Sequence, residues 1–237
     1  MPEPQEHPSS FDVENVRVSA VLMRPPDAHA LFVLAHGAGA DMRHPFLSAV
    51  ARAMYERGVA TFRFQFPYME VGRRRPDPPA RLVETVRRAV ETASDGAKGL
   101  PLIAGGKSMG GRMTSQAAAA GQLSEVRGLV LLGFPLHPAG RPGTSRADHL
   151  ADVRVPMLFL QGTRDALADL ELIRGVCRRL SGATLHVVEG ADHSFRVLKR
   201  SGRTDAAVLR ELSDSIVDWL AETSATRDPA EEGDRRE

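Results

Sequence analysis

Cysteine is almost absent from this 237-residue chain, where Cys177 stands alone. One thiol excludes an internal disulfide framework and suits a reducing compartment. An excess of either charge is also missing. Lys plus Arg number 31 and Asp plus Glu 30, so no global field draws the chain to nucleic acid or a membrane surface. No uninterrupted apolar run approaches the ~20 residues that a membrane span needs. The polar, Pro-rich start Met1-Pro2-Glu3-Pro4-Gln5-Glu6-His7-Pro8 has no apolar region of the secretory kind. Internal repeats and dividing linkers are lacking too. What is present, 42% hydrophobic and 26% charged residues, is ordinary for a globular protein. The expectation is one soluble, cytoplasmic domain over residues 11–224, with a flexible segment 1–10 before it and a charged, disordered tail at 225–237.

Within that span, strand-like and helix-like segments alternate. The strand candidates are Val16–Met23, Leu31–Ala35, Val59–Phe66, Leu100–Gly105, Gly128–Gly133, Met157–Gln161 and Thr184–Val188. Several, such as Leu129-Val130-Leu131-Leu132, are continuous apolar runs of the sort that a sheet covered on both faces requires. Between them, Phe46, Val50, Ala53 and Met54 share one helical face. Val83, Val86 and Val90 share another, as do Ile173, Val176, Cys177 and Leu180, and then Val208, Leu212, Ile216, Trp219 and Leu220. Cys177 reads as a small core residue on such a face. This alternation implies an α/β fold, a mostly parallel twisted sheet of about seven or eight strands with helices on both faces. Phe11–Met23 precedes any helix and is expected to form an antiparallel hairpin at one edge.

The most informative stretch runs from Leu100 to Arg112. A short apolar strand enters Gly106-Lys107-Ser108-Met109-Gly110, a G-x-S-x-G pentapeptide, and a helical segment follows at once. That order makes a nucleophile elbow, with the serine strained at the apex and glycines where side chains would crowd the neighbouring strand or helix. A serine needs a base, an acid to orient the base, and donors for the oxyanion. Elbow topology places the acid and then the histidine after later strands. Asp165 follows Met157–Gln161 across Gly162-Thr163-Arg164, and His193 follows Thr184–Val188 through Glu189-Gly190-Ala191-Asp192. The oxyanion donors are expected to be the amides of Met109 and of Ala38, in the loop His36-Gly37-Ala38-Gly39-Ala40. His36 reads as a brace for that loop.

Other readings fare worse. A phosphate-binding P-loop would need glycine at position 101, where Pro101 stands. A dinucleotide fingerprint after Leu31–Ala35 lacks its third glycine, that position being Met42. Asp169 reads as a surface or helix-start residue, Asp192 as a turn former, and His186 as a half-buried strand residue. His137 reads as pocket-lining or surface packing, and Lys107 and Arg112 as supports for the elbow or its rim. Arg73-Arg74-Arg75 reads as a solvated loop, with an anion site as the alternative.

Several strings are more specific still. They are His36-Gly37-Ala38-Gly39, Gly105-Gly106-Lys107-Ser108-Met109-Gly110-Gly111-Arg112, Phe134-Pro135-Leu136-His137-Pro138, Gln161-Gly162-Thr163-Arg164-Asp165 and Gly190-Ala191-Asp192-His193-Ser194-Phe195. On these the chain resembles an α/β-hydrolase over roughly residues 12–222. It looks most like the family joining uncharacterised bacterial hydrolases to testis-expressed hydrolase-like proteins and a subunit of a chromatin acetyltransferase complex. A more distant likeness is to dienelactone hydrolases, which use cysteine where this chain has Ser108. The resemblance implies a Ser108–His193–Asp165 triad acting on an acyl bond without metal or organic cofactor. It also supplies the competitor, a binding or scaffold domain on the same fold, since some relatives are interaction modules. His137–Arg154 is too short for a large lid. The expected partner is therefore a small or extended acyl substrate at an open site flanked by Tyr68, Met69, Phe134 and Phe195. Nucleic acid and membrane are not expected partners, and oligomeric state is left open.

Overall fold

The apolar runs become the centre of an eight-stranded sheet. A computed structural model describes residues 4–97 and 99–225; past Ala225 the expected disordered tail lies outside the described residues. The strands are β1 Glu6–Val13, β2 Val16–Met23, β3 Ala30–Ala35, β4 Val59–Phe64, β5 Leu102–Lys107, β6 Val126–Leu132, β7 Met157–Gly162 and β8 Ala183–Val188. Their order across the sheet is β1-β2-β4-β3-β5-β6-β7-β8. The β1–β2 hairpin is antiparallel and joins β4 antiparallel, while β4 through β8 run parallel.

Alternation along β3 shows how both faces are covered. Leu31, Val33 and Ala35 enter one apolar cluster, and Phe32 and Leu34 enter the other. The first cluster lies under α3 (Pro79–Ala97), α4 (Met109–Ala119) and α5 (Leu170–Arg179), which contribute Val86, Met113 and Ile173. Helices α1 (Pro45–Tyr55) and α6 (Asp205–Ala225) cover the opposite face with Leu47, Val50, Leu212 and Trp219. Cys177 packs in the first cluster, and burial pushes its thiol up to about 11, as befits an inert core residue.

Two expectations are corrected. Residues 1–10 are not flexible throughout, because Glu6–Ser10 pair with Ser19–Met23 as the start of β1. Their polar character and Pro8 are compatible with a strand that is hydrogen-bonded on one side only. Glu6 also pairs with the fully buried Arg63 of β4, which donates further to the Met42 carbonyl at 3.1 Å and Ser48 Oγ at 2.9 Å. In addition, β4 stops at Phe64 rather than Phe66. Phe66 instead precedes the short helix α2 (Pro67–Glu70), whose first residue is a proline without an N–H to offer a sheet.

Candidate active site

At the carboxyl end of β5 the chain turns sharply into α4. Ser108 takes φ 52° and ψ −115° at this turn, a left-handed conformation costly for a non-glycine residue. Its amide is held by the Leu132 carbonyl at 3.0 Å. The elbow closes only because its flanking residues lack side chains. A Cβ on Gly106 would lie 2.3 Å from the Ala35 carbonyl oxygen, and one on Gly110 would lie 2.6 Å from the carbonyl oxygens of Ala35 and His36. The first turn of α4 therefore packs directly on the end of β3.

Three loops bring the polar side chains together. His193, after β8, lies with Nε2 2.9 Å from Ser108 Oγ and Nδ1 2.7 Å from Asp165 Oδ2. Asp165, after β7, is buried. It also accepts from Gln161 Nε2 at 2.5 Å and from the Leu167 amide at 2.7 Å. A carboxylate so engaged at Nδ1 makes that nitrogen the N–H and leaves the Nε2 lone pair for the serine hydroxyl. The three residues thus form a continuous chain from a polar anchor to a strained hydroxyl.

A cavity of about 160 Å³ opens beside Ser108, lined by residues that include Ala38, His44, Phe46, Leu47 and His193. Among the described residues, neither the Ala38 nor the Met109 amide has an acceptor, which leaves both free for a ligand oxygen. His36 is fully buried and braces this loop: Nε2 accepts from the Phe66 amide at 3.1 Å, and Nδ1 donates to the Gly37 carbonyl at 2.9 Å. Burial pushes its imidazole down to about 4, so it is a neutral strut.

The expected cavity walls need revision. Tyr68, Phe134 and Phe195 are buried, and none of these, nor Met69, lines the cavity. Tyr68 packs beneath His36 and Phe66, Phe134 against Phe159, and Met69 on the first apolar cluster. Phe195 stands one layer behind the wall, stacked on Phe46 at 5.6 Å between ring centroids. Aromatic rings at strand ends are drawn into the core by their area. The walls come instead from His44, Phe46 and Leu47, at the start of α1. The signal for them was their position directly after the glycine loop.

Of the remaining candidates, Asp169 caps α5 through the Leu172 amide at 3.0 Å, and Asp192 accepts from the Ser194 and Arg196 amides at 2.8 and 2.9 Å. His137 bridges the Pro138 carbonyl and the Asp169 amide at 2.9 and 2.8 Å. His186 contacts Glu211 Oε1 at 2.9 Å. Arg73, Arg74 and Arg75 are exposed, away from the cavity lining. No residue of His137–Arg154 lines the cavity, and its 3-10 segment Ser145–Asp152 buries Ala147 and Leu150. Gln161 is the partner that sequence reasoning missed, and Lys107, expected to support the elbow or its rim, contacts His193 Nε2 at 3.3 Å. Among the described residues no three His, Cys, Asp or Glu side chains are grouped to hold a metal ion, and no helix is long and apolar enough to cross a membrane.

The comparison with protein families matches residues 28–221 to the alpha/beta hydrolase domain. Among solved structures, a dienelactone hydrolase from Anabaena variabilis is similar at 23% identity and a TM-score of 0.71, over 90% of this chain and 96% of that one. An alpha-beta serine hydrolase homologue from Coxiella burnetii is similar at 20% identity and 0.71, covering 90% and 97%. A serine hydrolase without a lid from Xanthomonas campestris is similar at 21% identity and 0.71, covering 92% and 96%. At such identities these likenesses speak for the fold.

Proposed function

The chain belongs to the alpha/beta hydrolase domain family, and from that premise we propose that it is a serine hydrolase that cleaves a small or extended acyl ester or thioester. The observation that carries this reading is the hydrogen-bonded chain from Ser108 Oγ through His193 to Asp165, at 2.9 and 2.7 Å. It is supported by the strained elbow and the free amides at Ala38 and Met109. The strings shared with the branch of bacterial and testis-expressed hydrolase-like proteins support a placement there, also as a proposal. So is a cytoplasmic setting.

In this mechanism Ser108 Oγ attacks the acyl carbon as its proton passes to His193 Nε2. The carbonyl electron pair moves onto oxygen, which the Ala38 and Met109 amides receive. Asp165 holds Nδ1–H and stabilises the imidazolium. Held in turn by Gln161 and the Leu167 amide, it cannot rotate away. The imidazolium then protonates the leaving group, and water, deprotonated by His193, releases the acyl group from Ser108. The modest cavity beside Ser108, with Phe46 and Leu47 on its wall, suits a short acyl chain better than a long one.

A fluorophosphonate probe tests the reading. It should label the protein at Ser108 and leave folded Ser108→Ala unlabelled. Hydrolysis of short acyl esters should fall on the order of 10⁴-fold in kcat in Ser108→Ala or His193→Ala. Well-folded protein that takes up no probe would refute the reading and favour a binding module.

A further inference from the structure

Beyond the triad, one charged side chain touches the base and has no part in the mechanism above. Lys107, the residue before Ser108, places Nζ 3.3 Å from His193 Nε2. That nitrogen has a single lone pair, because Nδ1–H is committed to Asp165. Two donors therefore converge on one acceptor, the Ser108 hydroxyl at 2.9 Å and the Lys107 ammonium at 3.3 Å. We propose that Lys107 is a positioning residue acting through His193: as an ammonium it competes for the Nε2 lone pair and opposes the imidazolium, and as an amine it relieves both restraints. This inference rests on the acyl-transfer reading.

The placement is built into the fold. Gly133, just after β6, adopts φ +65°, and a Cβ there would stand 2.9 Å from Lys107 Nζ; a side chain at 133 would displace the ammonium. The Phe195 ring lies 5.4 Å from Nζ, which gives Phe195 a use that the cavity wall does not. The charged groups facing Lys107 are Asp165, from the loop after β7, and Asp192 and His193, from the loop after β8. Asp165 already serves His193, Gln161 and the Leu167 amide, and Asp192 serves the Ser194 and Arg196 amides. Among the described residues Lys107 forms no ion pair with either carboxylate. Burial lowers its ammonium to about 8, against the pull of Asp165 and Asp192, so both protonation states are populated near neutrality.

The consequence falls on the attack step. As the Ser108 Oγ–carbon bond forms, the hydroxyl proton moves to Nε2 and the ring becomes cationic. An adjacent ammonium repels that charge. An adjacent amine instead offers a lone pair to Nε2–H. Lys107 forms no covalent bond and carries no net proton through the cycle.

The test uses the full chain and an uncharged short acyl ester followed in a pH-stat from pH 6 to 10. Wild-type kcat/KM should show a limb near pH 8, with a slope of about tenfold per pH unit below it. Lys107→Met should lose that limb and exceed wild type at pH 6.5 by about tenfold or more. Lys107→Arg, which stays charged, should remain low through pH 9. A second readout needs no turnover: the ¹⁵N resonance of His193 Nε2 should move with the same limb in wild type and not in Lys107→Met. An unchanged limb in Lys107→Met, or a wild-type Nε2 resonance silent around pH 8, overturns the proposal. If the resonance shows the limb but hydrolysis survives Ser108→Ala, the acyl-transfer reading fails while the Lys107–His193 coupling stands.

Discussion

His36 makes a sharp prediction about acid. The imidazole is fully buried between the Phe66 amide and the Gly37 carbonyl, and its folded value is about 4 against an ordinary 6.5. Above pH 6.5 it is neutral in folded and unfolded chains alike, and its contribution to stability is complete. As the pH falls below 6.5 the unfolded chain takes up a proton that the folded protein refuses until about pH 4. Stability therefore drains across that window, by about 3 kcal/mol in all. His36→Phe cannot titrate, and it strands the Phe66 N–H and Gly37 carbonyl, at about 1–3 kcal/mol for each group left buried and unpaired. Urea unfolding, followed by the fluorescence of buried Trp219, would give both stabilities at pH 7 and pH 4.5. The variant should be clearly weaker at pH 7 and lose most of that deficit at pH 4.5, because carboxylate effects are common to both proteins. A deficit of equal size at the two pH values would refute the account of His36 as a neutral strut.

Two other perturbations address the elbow and the first strand. In Gly110→Ala the new methyl meets two backbone carbonyl oxygens at 2.6 Å, so α4 must lift from β3; both thermal stability and fluorophosphonate labelling should fall, while Gly96→Ala, in helix α3 with open space around its Cβ position, should leave labelling intact. Glu6 is desolvated, yet hydrogen bonds from Arg63 and Arg43 hold its carboxyl below the ordinary range. Glu6→Ala leaves the buried Arg63 charge uncompensated and should cost about 3 kcal/mol in chemical unfolding. Adding Arg63→Met to it should recover most of that loss, and a strictly additive double variant would contradict the pairing.

The fold was legible because the parallel strands are buried on both sides, so their apolar runs stand out without periodicity. Ser108, Asp165 and His193 were legible as candidates because each follows such a run in a turn rich in glycine. Direction was harder to read. Tyr68, Phe134 and Phe195 sit at the right distance along the chain, but nothing in their spacing says that their rings turn inward. Glu6–Ser10 lack the apolar alternation of a strand, since an edge position asks for little of it. Lys107 could be read as a support for the elbow or its rim, but not as a neighbour of His193. Its meaning depends on Gly133 and Phe195, which the sheet brings close from distant parts of the chain.

The position of α6 as the last described helix has a bearing on how this domain is made. Leu212, Ile216 and Trp219 cover the sheet face that Phe32, Ile103 and Val130 present from three inner strands. On a ribosome those strands emerge first, and their apolar face is covered only in part, by Leu47, Val50 and Met54 of α1, until the final described helix arrives. His193 is also synthesised well after Ser108. A nascent chain therefore passes through a stage that holds Ser108 without His193, on a sheet still partly open to water and to other chains. Docking of α6 covers the part of that face which α1 leaves open.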